Sequence, residues 1–200
     1  MILLKRNKSI TAQALKDGAL LLHAQMQDDV HLMDVQLVVD QGSGEIRSAF
    51  ATMGQAPYGD ECRRALGVVP GLVGLRIGRG SGREAFRRVA GPRGCTHLAE
   101  LVVDAMSAYV PALGKAEMER LARKYRKMGL APVEVERRVM EGIHELGKRL
   151  LPDTCVVYRK DEGGGSGGII GGRNESGTGD RGEVVTGAPE PLDSDFPPPG

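Results

Sequence analysis

ALLLHAQMQDDVHLMDVQLVVDQGSGEIRSAFATM, residues 19–53, decides the fold. Its apolar residues alternate with polar ones or run on continuously, and turn residues interrupt the pattern. ALLLHAQMQ reads as one strand, Asp28-Asp29 as a turn, and VHLMDVQLVVD as the next strand. QGSG then supplies a glycine-rich reversal ahead of EIRSAFATM. Upstream, a weaker strand runs through Ile10, Ala12 and Ala14, closed by Asp17-Gly18 as a two-residue hairpin. Four successive strands on tight turns predict an antiparallel meander.

Past Met53 the period changes. Asp60–Val69 reads as a short helix ending near Pro70-Gly71, and LVGLRIG as a strand or buried loop. SGREAFRRVAG carries Ser81 as N-cap and Glu84 three residues on, a capping-box pattern. A further helix opens at Thr96 and runs to about Tyr109, before Pro111. Met118, Leu121, Tyr125 and Met128, then Val135, Val139, Ile143, Leu146 and Leu150, repeat at helical spacing on either side of GLAP. Pro132 suits a first helical turn. The fold class is therefore α+β. An antiparallel sheet of three to four strands packs against helices over 1–110, and a helical hairpin follows over 111–152.

Residues 153–200 read as a linker and tail. From 161 onward, 17 of 40 residues are Gly or Pro, and eight acids stand against two Arg. Such a segment buries too little apolar surface to offset chain entropy, so disorder is expected. The formal net charge of +1 thus divides into about +7 before residue 161 and about −6 after it. Three cysteines at 62, 95 and 155 include no CxxC, which fits reduced thiols rather than a disulfide framework. MILLKRNKSI becomes charged directly after MILL, and no apolar run approaches the length of a bilayer span. A soluble cytoplasmic protein without membrane contact is expected.

The stretch GCTHLAEL, residues 94–101, places a thiol and an imidazole two residues apart at a helix start. With the helix beginning at Thr96, Leu98, Leu101, Val102, Ala105 and Tyr109 form its buried stripe, while His97, Glu100 and Asp104 share a polar face. Cys95 would sit near unpaired amides at the positive end of the helix dipole, a place that favours thiolate. A metal needs about four ligands, and one helix end cannot supply them. Cys62 and His31 are the best candidates to join Cys95 and His97, with His23 behind them and Cys155 poorly placed. A small buried cysteine and a solvated His97–Glu100 pair account for the same residues without any ligand.

IGRGSGRE, residues 77–84, sets Gly78, Gly80 and Gly82 before a helix, with Arg79 and Arg83 among them. The preceding strands form hairpins rather than a parallel βαβ unit, so this is no dinucleotide fingerprint. Its backbone amides remain a possible seat for an anionic small molecule such as the phosphate of coenzyme A. Nucleic-acid binding is not expected, because the many basic residues lack interleaved aromatics and no known signature is present.

The stretch LVGLRIGRGSGREAFRRVAGPRGCTHLAEL, together with His31 and Cys62, resembles the bacterial family known as domain of unknown function 2889, over about residues 15–110. That resemblance implies no established activity. The layout is also similar to the NifU and IscU iron–sulfur scaffold proteins. Phe50–Gly54 matches the family's F-x-T-x-G and Cys95–Ala99 most of its C-x-x-L-A-x-x-A, with Val102 in place of the last Ala, whereas Gln55 stands where the scaffold has a ligand cysteine. This second resemblance implies a NifU/IscU-like fold and a site for zinc, iron or an iron–sulfur cluster at the end of the sheet. Three functions are therefore expected in turn. They are metal or cluster handling through Cys95, His97, Cys62 and His31; an enzyme with Cys95 as nucleophile and His97 as its base; and an interaction module self-associating through 115–150.

Overall fold

The two middle strands of the sheet owe their register to burial on one face. In β2 (Ala19–Gln27), Leu20, Leu22, Ala24 and Met26 are buried while His23, Gln25 and Gln27 face outward. In β3 (Leu32–Asp40), Met33, Val35, Leu37 and Val39 are buried opposite them, for example Leu22 against Leu37. A slip of one residue would turn every one of these side chains into water, so the pairing is strongly specified. The computed structural model describes residues 1–154 and 156–159, of which Leu4–Arg159 forms one compact unit. β1 (Asn7–Ala14) and β4 (Ile46–Gln55) complete an antiparallel meander in the order β1-β2-β3-β4.

The β1–β2 connection departs from the two-residue expectation. Leu15 N–H bonds the Ala19 carbonyl at 2.8 Å, leaving a three-residue loop in which Gly18 takes a left-handed φ of 78°. The extra residue lets the turn follow the strand twist with glycine at its left-handed position.

One layer of helix covers the sheet. α1 (Asp60–Arg63) passes directly into a 3-10 segment, Arg64–Leu72, where a single helix was expected. Pro70 lies within that segment, and a proline supplies no N–H for helical pairing. After Leu72 the rest of LVGLRIG is a loop, held to the sheet by the Glu45–Arg76 bridge and by the Gly74 N–H on the Ile46 carbonyl. α2 (Ser81–Val89) has Gly80, not Ser81, at its N-cap. α3 (Thr96–Ser107) buries Leu98, Ala99, Leu101, Val102, Ala105 and Met106 against the sheet. α4 (Tyr109–Lys127) starts earlier than the periodicity indicated and keeps Pro111 in its first turn, where a missing N–H costs nothing.

After Gly129, at φ 78°, α5 (Pro132–Leu150) folds back on α4. Leu121, Val135 and Val139 form a small second core between them. A short 3-10 turn at Val156–Tyr158 follows, with the Tyr158 ring 6.1 Å from that of His144. Cys155 and the Gly/Pro-rich stretch from 160 lie outside the described residues. Among the described residues no helix is long and apolar enough to cross a membrane.

Candidate functional site

The β2–β3 turn and the first turn of α3 meet at one end of the sheet, and there the structure brings His31 and His97 together. Their ring centroids are 4.4 Å apart at 60°. His31 is 5% exposed and His97 half-buried. Asp28 organises the turn. Its carboxylate accepts the N–H groups of Val30 (3.0 Å) and His31 (2.8 Å), and it lies 3.0 Å from Nδ1 of His31. Arg6, at the start of β1, approaches from the other side at 2.8 and 2.7 Å.

The Asp28 side chain is wholly out of water. Burial by itself would raise its pKa; the amide of Val30, Arg6 and both His31 contacts outweigh this and hold it well below the usual carboxylate range. An ionised carboxylate only accepts, so the His31 nitrogen facing it is the protonated one. In the neutral form of that ring, Nε2 carries the lone pair. His97 is pushed below the ordinary histidine value, first by burial, then by repulsion from the His31 ring when that is protonated, and by Arg6. It is a neutral imidazole at pH 7.

Sequence reasoning found both histidines but missed Asp28 and Arg6. Asp28 was legible in part, since an Asp opening a turn characteristically takes the backbone amides that follow it. Arg6, 22 residues upstream of its partner, had no local signal.

The thiols do not join the imidazoles. Cys62 on α1 and Cys95 at the N-cap of α3 are free, half-buried and packed against the main core. Among the described residues no group of three or more His, Cys, Asp or Glu converges as a metal would require. The Cys62, Cys95, His97 and His31 quartet is therefore not assembled. His31 is turned toward Asp28 and His97, while both sulfurs pack toward aliphatic neighbours. Cys95 has no side-chain hydrogen bond among the described residues, so His97 does not meet it as a base. His23 pairs with Asp34 at 2.6 Å on the outer face of the sheet, where Gln25 and Gln36 also reach Asp34.

The glycine loop closes on itself. Ser81 Oγ donates to the Gly78 carbonyl (2.7 Å) and accepts the Gly78 N–H (3.0 Å), and the Ser81 N–H also returns to Gly78. Two amides expected to face an anion are thereby spent. Glu84 binds Arg87 and Arg88 instead of closing a capping box. Gly80 serves its left-handed φ of 82°, while Gly78 and Gly82 are not forced by crowding, since a Cβ at 78 meets nothing and one at 82 makes an ordinary contact with Val103. Among the described residues, no contact of the Arg79 or Arg83 side chains organises them around the loop.

A family model described as protein of unknown function, DUF2889, matches residues 6–110, just over half of the chain. The chain belongs to this family. No curated protein and no solved structure matches. The DUF2889 region opens at Arg6, ahead of the stretch that carried the resemblance in the sequence, and so holds all of Arg6, Asp28, His31 and His97. Gln55, at the end of β4, donates its side-chain amide to the Asp29 carbonyl at 2.9 Å. That amide pins the turn that bears His31.

Proposed function

We propose that this DUF2889 domain handles a divalent transition-metal ion through the paired imidazoles of His31 and His97. The observation that carries the reading is the Asp28 carboxylate on Nδ1 of His31, beside the His97 ring. A metal-ligating histidine ordinarily gives its second ring N–H to a carboxylate, which sets the tautomer and raises the basicity of the ligating nitrogen. A neutral His97 needs to shed no proton before it binds. Two imidazoles leave the remaining positions of the ion to water or an incoming ligand, which suits exchange rather than a closed structural site. Zinc and iron(II) both accept imidazole. A cluster would need thiolates, which this pair does not offer.

Calorimetric titration of zinc chloride into chelator-treated full-length protein tests the reading. One ion per chain is expected, and His97→Gln should weaken its binding by about tenfold or more. His97 is half-buried at the surface end of α3, so the variant should keep the wild-type circular dichroism. Absence of binding up to about 1 mM zinc, about the −4 kcal/mol level, overturns the proposal. So does a His97→Gln protein that binds as wild type.

A further inference from the structure

The outward face of α2 carries positive charge that no neighbouring carboxylate answers among the described residues. Between residues 79 and 93 stand five arginines and one acid, Glu84. Glu84 is shared by Arg87 and Arg88. Arg79, Arg83 and Arg93 are exposed and reach no carboxylate among the described residues. Elsewhere Arg47, Arg63, Arg76, Arg120 and Arg137 each find one.

The helix presents these groups on a fixed frame. Ser81, Ala85 and Val89 turn inward, and at about 100° per residue Arg83, Phe86 and Arg87 lie on the opposite side. Phe86 is 37% exposed, an aromatic ring open to water beside two guanidinium groups. Arg88 anchors the helix instead, donating to the Gly71 carbonyl at 2.9 Å. The Cys95 N–H fastens the far end at the Val89 carbonyl (3.0 Å). A bound segment would therefore meet a main chain already held in place, and little ordering cost would fall on it.

We propose that this face binds an acidic segment of a partner protein, with carboxylates on Arg79, Arg83 and Arg87 and an apolar side chain against Phe86. Each guanidinium is a planar fork that matches a carboxylate with two parallel hydrogen bonds. Arg83 and Arg87 are four residues apart on the helix, about 6 Å along its axis. Alternate residues of an extended peptide stand about 6.6 Å apart on one side, so two carboxylates spaced that way reach both. A nucleic acid fits less well. Its affinity comes from many phosphates at once and falls steeply with salt, and one ring stacks on one base only. A second copy fits less well still, because a twofold contact would set the same arginines against each other. The site is separate from the histidine pair and stands or falls apart from it.

The probe is the peptide EELEELEE, acetylated and amidated at its ends, titrated at low salt into the full-length chain and followed by heteronuclear NMR. The backbone amides of residues 82–87 should shift, with half-saturation below about 1 mM, and about 0.5 M salt should abolish the shifts. Arg83→Glu reverses an exposed charge and should weaken binding about tenfold. Arg79→Glu, in the loop ahead of α2, decides in its place if Arg83→Glu loses the wild-type circular dichroism. Half-saturation above about 1 mM, equal binding of the uncharged QQLQQLQQ, or undiminished binding by the folded variant would each overturn the proposal. Tighter binding of octathymidylate would also overturn it, in favour of a nucleic acid. So would peptide binding seen only once residues 161–200 are removed, in favour of the chain's own acidic segment.

Discussion

Single carboxylates organise both tight turns around β3, and they do so by taking backbone amides. Asp28 does this beside His31. Asp40 does it at the β3–β4 turn, where its Oδ1 accepts the N–H groups of Gly42 (3.1 Å) and Ser43 (2.7 Å) and the Ser43 hydroxyl (2.9 Å), while Arg47 holds the other oxygen. The Ser43 amide and then its hydroxyl, together with Arg47, lower the Asp40 pKa from 3.8 to about 2. The folded value lies below the unfolded one, so the charged form favours the native state. Its contribution is complete above about pH 4 and drains away as the pH falls from 3.8 toward 2. Urea stability measured across that interval should therefore decline less in Asp40→Asn than in wild type; parallel curves would contradict the assignment.

At the scale of elements, the approach of α3 to α2 depends on one position without a side chain. A Cβ on Gly94 would stand 1.8 Å from the Val89 carbonyl oxygen and 2.7 Å from its carbon, both backbone atoms that cannot step aside. The closeness arises because the Cys95 N–H bonds that same carbonyl at 3.0 Å, fastening the start of α3 to the end of α2. Gly80 is a different case. Its φ of 82° is strained for other residues, but nothing crowds it. Gly80→Ala should therefore cost about 1–2 kcal/mol, the ordinary penalty of a left-handed non-glycine residue, whereas Gly94→Ala should cost about 4 kcal/mol or more. Denaturant melts of the two variants check this, and equal losses would mean the Gly94 contact relaxes easily.

For the molecule as a whole, burial is unequal. Around the sheet and α3 the core is continuous, whereas among the described residues the apolar cluster between α4 and α5 has just Leu121, Val135 and Val139 as its buried members. Local stability follows such differences in buried contact. Leu121→Ala, which removes about 2–5 kcal/mol of packing, should speed hydrogen exchange along α5 while leaving β2 and β3 protected. Uniform acceleration in both regions would show that they unfold together. The sequence on its own determined the meander, the buried stripe of α3 and the helical hairpin, because alternation and 3–4 spacing are local records of which face is buried. It also marked His31 and His97. It misplaced the cap of α2 and the nature of Arg64–Leu72, where a glycine's φ and an internal proline overrode the pattern. Only the tertiary structure decided that Arg6 reaches Asp28 and that His97 meets His31 rather than Cys95. Both join residues far apart in the chain, and contacts over such distances leave no periodic trace in the order of residues.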